Sequence, residues 1–343
     1  MSWQLLTGVI VCKIEIPKGN GKAEIIKILL AVVFEGFRCG GDASGRKTPK
    51  IYRTEFTSKG ESASFGPQKT WGRFHALSSL VVPLKYGDDL QIELLGAEAT
   101  EDFLSCATAG VPLNGDNLIL RAAEKFREQL GRAVYFKFEL EKRIPMGAGL
   151  GGGSSNAAIA LVGMNRLLGE PFDKAVLLEL AACLGSDCPY FIDAKIAWMR
   201  GRGEILEPVD ASMETALKGR QILLFKPDFG INTAWAYGAM AAGAPNFYET
   251  EAIFNTRVKK FASTGSLESL VYNSFEAVVG RKYLSISTLL SSLREMGLVC
   301  GLSGSGSSCF VIPDAKCENL QEIESFIRMA WGDMLFFVET HIL

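Results

Sequence analysis

Pro145-Met146-Gly147-Ala148-Gly149-Leu150-Gly151-Gly152-Gly153-Ser154-Ser155-Asn156-Ala157-Ala158 is the most informative stretch of the sequence. Five glycines in the seven positions 147–153 let successive backbone N–H groups turn toward one point without Cβ obstruction. Ser154 to Leu168 reads as a helix that this loop opens. Its first, unbonded N–H groups and the positive end of its dipole then face the same point. Ser154 and Ser155 add hydroxyls able to bind phosphate or Mg²⁺. In its chemistry the stretch is a polyphosphate cradle, and a turn chosen only for packing rarely needs so many glycines.

The loop is not a Walker loop, because no Gly-Lys-Ser/Thr closes it. Gly147-x-Gly149-x-x-Gly152 does satisfy the dinucleotide fingerprint. That reading wants an acidic residue at the end of the next strand, about 20 residues on. Glu170 falls near that distance but sits beside Pro171 in a loop, which argues against a nicotinamide site.

Two further segments carry chemistry. Gly301-Leu302-Ser303-Gly304-Ser305-Gly306-Ser307-Ser308 leads into the apolar Cys309-Phe310-Val311-Ile312. Alone it reads equally well as a flexible connector. Beside the first cradle it looks like a second loop closing on the same phosphates. Gly185-Ser186-Asp187-Cys188-Pro189 follows a helix end. By local sequence Asp187 is ordinary turn chemistry. Near a phosphate site it would be a carboxylate able to take a proton from an attacking hydroxyl.

Outward from these segments the pattern is mixed α and β, with a division near 211–219. Leu80 to Leu95 is strand-like and broken at Gly87-Asp88-Asp89, as in a hairpin. Asp116 is placed to cap a helix whose apolar face is Leu118, Ala122, Phe126 and Leu130. Phe136, Phe138 and Leu140 alternate with Lys137 and Glu139, the mark of a half-buried strand. Asp173 caps another helix that stops at Gly185. Ala197 to Val209 resembles a hairpin, and Gln221 to Phe225 a buried strand.

Composition excludes several classes. In 343 residues, 48% are apolar and 22% charged, and the net charge is −2. This is ordinary globular usage, unlike a nucleic-acid coat. No run approaches the ~20 apolar residues of a membrane span. The eight cysteines form no Cys-x-x-Cys pair and read as reduced thiols of a cytoplasmic protein. His75 and His341 are the only histidines, which disfavours a zinc site or a serine–histidine triad.

Taken in order, the three segments resemble the GHMP kinase superfamily. The long Pro-Met-Gly-Ala-Gly-Leu-Gly-Gly-Gly-Ser-Ser-Asn-Ala-Ala form is similar to its branch acting on 4-(cytidine 5'-diphospho)-2-C-methyl-D-erythritol, in non-mevalonate isoprenoid biosynthesis. Phe74-His75, Asp116-Asn117-Leu118 and Gly201-x-Gly203-Glu204 match as well. The resemblance implies an α+β fold of two domains, residues 74–215 and 216–343. The first would be ribosomal-protein-S5-like with a left-handed βαβ crossover, the second ferredoxin-like, with ATP and substrate in the cleft between them. It further implies that Pro145 to Ser155 cradles the ATP phosphates, with Mg²⁺, and that Asp187 is the catalytic base. Phe74 and Tyr237 would sandwich the cytosine and His75 would hydrogen-bond it. Ser303, Gly304, Ser305 and Gly306 form the second loop. The expected partner is the small substrate carrying cytidine diphosphate, with no nucleic acid and no membrane, in a monomer or homodimer. Another GHMP small-molecule kinase, or a catalytically impaired nucleotide-binding relative, is the alternative.

Residues 1–73 depart from this pattern. The family's first strand carries Ser-Pro-Ala-Lys-(Ile/Val)-Asn-Leu, whose lysine acts on the transferred phosphate, and nothing before Phe74 matches it. Shifted by one nucleotide, the codons of Phe56 to Arg73 permit Ser-Pro-Ala-Lys-Val-Asn-Leu and then Gly-Asp-Gly directly before Phe74. The hidden lysine falls fifteen positions before Phe74, as the family requires. The segment is therefore expected to be an off-frame translation, and Lys59 as written is not the family's lysine.

Overall fold

The computed structural model describes residues 77–201, 205–243, 251–314 and 319–343, with four short strands nearer the N-terminus. Those strands are β1 (Ser2–Leu6), β2 (Ile25–Ile26), β3 (Leu29–Leu30) and β4 (Phe37–Cys39). Three sheets result.

The first has the order β4-β1-β6-β8-β7, where β6 is Asp89–Leu94, β7 is Phe103–Cys106 and β8 is Phe136–Glu141. Every second residue of β8 is buried, so Phe136, Phe138 and Leu140 face the covering helices as the alternation predicts. α1 (Leu118–Leu130) connects β7 to its parallel neighbour β8. α2 (Gly152–Leu167) packs beside α1, with Ala157, Ala160, Leu161 and Met164 buried in their shared core. α3 (Lys174–Leu184) begins at Asp173, whose carboxylate accepts the Val176 N–H at 3.0 Å, and stops at Gly185 as expected. Phe126, Phe136 and Phe138 are fully buried here, each worth roughly 1.5–3 kcal/mol in area removed from water.

The second sheet has the order β10-β9-β5-β2, with β3 also on β5. It contains β5 (Leu77–Val82), β9 (Ala197–Gly201) and β10 (Ile205–Pro208), the last two forming the expected hairpin. α4 (Tyr190–Asp193) packs against it and α2. α5 (Ala211–Leu217) then leads to the third sheet.

This third sheet is antiparallel, of order β12-β13-β11-β14, from β11 (Gln221–Lys226), β12 (Val299–Leu302), β13 (Cys309–Ile312) and β14 (Phe336–His341). In chain order its strands lie 2-3-1-4, the ferredoxin-like arrangement. Helices α6 (Thr233–Ala242), α8 (Phe275–Lys282), α9 (Leu284–Glu295) and α10 (Leu320–Trp331) cover one face. The other face shares a core with the second sheet: Leu80, Trp198, Leu224, Phe310 and Phe254 of α7 (Glu251–Thr264) meet under Ala148 and Leu150 of the glycine loop.

Two sequence expectations are corrected. β5 and β6 are not a hairpin but belong to different sheets. Asp88 between them accepts the N–H groups of Arg143 and Ile144 at 2.7 and 2.8 Å, which ties the turn to the end of β8. The α1 cap is Asn117, not Asp116. Its side-chain oxygen accepts the Ile119 N–H at 2.9 Å because the helix starts one residue later than Asp116 allows. α8 and β12 have no counterpart in the sequence reading.

Candidate nucleotide-binding and active site

The glycine loop turns back on itself by alternating backbone handedness. Gly147, Gly149 and Gly151 take φ of 62°, 71° and 68°, a region costly for any residue with a Cβ, and Ala148 and Leu150 do not. Alternation of this kind aims consecutive N–H groups into one concavity. The first α2 hydrogen bond runs from the Ser155 N–H to the Gly151 carbonyl at 2.9 Å. The amides of Gly152, Gly153 and Ser154 therefore have no acceptor within the helix. Gly151 caps the helix and brings no side chain to cover them.

These amides line a cavity of about 370 Å³ whose wall runs from Pro145 to Ser154. Val111, Pro112, Asp116, Asn117, Lys142 and Asn156 are among its other lining residues. Of the two serines, Ser154 lines the cavity, whereas Ser155 is fully buried and its hydroxyl donates back to the Gly152 carbonyl at 3.0 Å.

The second glycine loop stands behind the first. A Cβ on Gly149 would lie 2.7 Å from the Gly306 carbonyl oxygen and 2.9 Å from that of Ser303, and the Ser308 N–H donates to the Ala148 carbonyl at 3.3 Å. Ser303, Gly304, Ser305 and Gly306 are all buried. Buried Asn273 fixes the loop, its amide donating to the Leu302 and Gly304 carbonyls at 2.8 Å each. The Ser307 hydroxyl donates to the Phe229 carbonyl at 2.6 Å, and the Ser305 and Thr233 hydroxyls are 3.1 Å apart.

Asp187 is half-buried in the turn after α3 and is not among the residues lining the cavity. Its neighbour Cys188 is buried, with Ser154 of the loop close enough to act on its thiol. Burial pushes this thiol up to about 11, countered in part by Ser154 and raised further by the charge of Asp187. Tyr237 lies on α6 one turn beyond Thr233, so it shares that residue's face of the helix. It is half-buried and meets Phe275 edge-on at 5.0 Å. Phe74, His75 and the 202–204 tip lie outside the described residues.

Sequence reasoning missed Lys142 and Asp88. Lys142 lines the cavity, and Asp88 is ion-paired to it. A lysine at a strand end, and an aspartate after glycine in a turn, give no signal beyond ordinary surface chemistry. Among the described residues no helix is long and apolar enough to cross a membrane, and no three side chains cluster as metal ligands.

A cradle of glycine amides opening a helix, braced by a loop from a ferredoxin-like sheet, defines a nucleotide-dependent phosphotransferase, and comparison with known proteins agrees. The GHMP kinases N terminal domain profile matches residues 117–194 and the GHMP kinases C terminal profile residues 256–330. The chain belongs to the GHMP kinase superfamily of ATP-dependent kinases. It is 34% identical over 240 residues to the 4-diphosphocytidyl-2-C-methyl-D-erythritol kinase of Nitratidesulfovibrio vulgaris, covering 70% of this chain and 82% of that one. With the enzyme of the same name from Methylacidiphilum infernorum it shares 35% over 257 residues, 72% of this chain and 80% of the other. The crystal structure of a 4-(cytidine 5'-diphospho)-2C-methyl-D-erythritol kinase superposes with a TM-score of 0.62 at 29% identity, covering 78% of this chain and 91% of that one. Homoserine kinase from Cytophaga hutchinsonii shares the fold, with a TM-score of 0.58 at 17% identity over 77% of this chain and 89% of the other.

Proposed function

We propose that this protein transfers the γ-phosphoryl group of ATP to the 2-hydroxyl of 4-(cytidine 5'-diphospho)-2-C-methyl-D-erythritol, a step of isoprenoid precursor synthesis. The observation that carries the reading is the set of amides at the start of α2 that have no acceptor within the helix and line a cavity. Relatives above 30% identity bear the name of that activity.

In this reading the amides of Gly149 to Ser154 bind phosphate oxygens and hold charge that grows as the phosphoryl group moves. Asp187 orients the acceptor hydroxyl and takes its proton. Tyr237, with Phe74, stacks on the cytosine, a geometry suited to the flat face of a pyrimidine. The Ser154 hydroxyl and the Asp187 carboxylate are hard oxygen donors of the kind Mg²⁺ takes. Few protein ligands suffice when phosphate oxygens supply the rest. Bound there, the ion would neutralise charge on the β- and γ-phosphates.

The test is a substrate screen with purified protein and ATP. Transfer to the cytidine-bearing alcohol, with none to homoserine or mevalonate, is the expected result. Tyr237→Ala and Phe74→Ala should each raise KM for that alcohol, and not for ATP, by the equivalent of about 1–3 kcal/mol, as stacked bases lose. Transfer to an alcohol without cytidine, or equal effects on both substrates, refutes the assignment.

A further inference from the structure

Lys142 and Asp88 form an ion pair that the motifs do not account for. The Lys142 ammonium bonds to one oxygen of Asp88, and the side chains are 7% and 0% exposed. The other Asp88 oxygen accepts the Arg143 and Ile144 N–H groups at 2.7 and 2.8 Å. One carboxylate thus fixes both the side chain of residue 142 and the backbone of the two that follow, directly before the loop opens at Pro145.

The ammonium is held where the loop becomes helix. A Cβ on Gly152 would stand 2.9 Å from the Lys142 nitrogen and 3.1 Å from Ile144. Lys142 also lines the cavity shared by the α2 amides. Burial pushes its pKa below the ordinary lysine value, and the adjoining Asp88 carboxylate pulls it back up. An ammonium this enclosed, with four rotatable bonds, needs an anchor to stay at one point.

Resting on the nucleotide-binding reading above, we propose that Asp88 is a positioning residue for nucleotide binding, holding the Lys142 ammonium and the 142–144 backbone at the entrance to the phosphate loop. It touches no ligand and acts through Lys142. Replacing Asp88 with Asn keeps an oxygen for the two backbone amides but removes the charge that anchors the ammonium.

The experiment measures ADP affinity by calorimetry on the full chain for wild type, Asp88→Asn, Lys142→Met and the double variant, alongside KM for both substrates. Asp88→Asn should weaken ADP binding about tenfold or more, as breaking a buried charge pair does. KM for the alcohol should stay unchanged. On a Lys142→Met background the Asp88 change should add no further loss, the non-additivity expected of coupled residues. Unchanged ADP affinity in Asp88→Asn, or losses that add fully, overturns the proposal. If Asp88→Asn does not fold, Lys142→Arg should keep the ADP affinity that Lys142→Met loses, and equal affinities overturn it. Wild type that binds no ADP overturns the nucleotide-binding reading itself.

Discussion

The α-carbon of Gly149 faces the carbonyl oxygen of Gly306 so closely that a Cβ would stand 2.7 Å from it. The two glycine-rich loops, from different sheets, are in backbone contact with no room for a side chain between them.

Gly149→Ala therefore should not be a mild change. The new methyl meets two carbonyl oxygens that belong to a buried loop, and it must adopt φ of 71°. Overpacking of this kind costs roughly 1–3 kcal/mol, and the left-handed backbone about 1–2 kcal/mol more. Thermal denaturation should show a lower Tm and calorimetry a weaker nucleotide complex. A variant with wild-type Tm and affinity would show that the loops separate freely.

Asp187→Asn keeps the shape of the turn after α3 and removes the carboxylate proposed as the base. Turnover should fall by about 10²–10⁴-fold, the range for a lost general base. Affinity for ADP measured without Mg²⁺ should hold, because the loop amides are untouched. Near-normal kcat would take Asp187 out of the mechanism.

Thiol chemistry offers a check on packing. Cys183 is exposed on α3, whereas Cys188, Cys300 and Cys309 are buried. Burial pushes Cys188 up to about 11 and Cys300 up to about 12, so both stay protonated at pH 8 and lack the reactive thiolate. Alkylation at that pH, read by mass spectrometry of the folded protein, should mark Cys183 and spare the other three. Rapid labelling of Cys188 would contradict its burial beside Ser154.

The N-terminal segment calls for a genetic test. If residues 1–73 are an off-frame translation, a one-nucleotide shift before codon 74, with a start just upstream of the hidden Ser-Pro-Ala-Lys, should raise soluble yield and kinase activity together. Loss of a cation that stabilises the transferring phosphoryl group costs several kcal/mol, so the chain as written should turn over at least about 10²-fold more slowly. Equal activity of the two chains would mean that the shifted frame is a coincidence and that another cation serves.

What the sequence discloses follows the range of the interactions. The loop before α2 was legible because each glycine answers a local backbone demand, and β8 because Phe136, Phe138 and Leu140 keep a period of two. The Asp173 cap was legible for the same reason, its bond reaching only to Val176. Asp88 reads as hairpin punctuation because its partners lie more than fifty residues away, at Lys142, Arg143 and Ile144. Ser303 to Gly306 stayed ambiguous alone, since only the backbone of Gly149 explains why that loop must be so thin.

The core under Ala148 and Leu150 draws on two sheets, with Trp198 and Phe254 meeting edge-on at 5.3 Å across the join. A nucleotide site founded on such shared ground has no single owner. Neither half of the chain could be lifted out and grafted elsewhere as a ready-made module, because each supplies the floor on which the other's loop stands. Diversification in such an architecture has to proceed at the rim, through the residues that greet the acceptor, while the foundation is inherited whole.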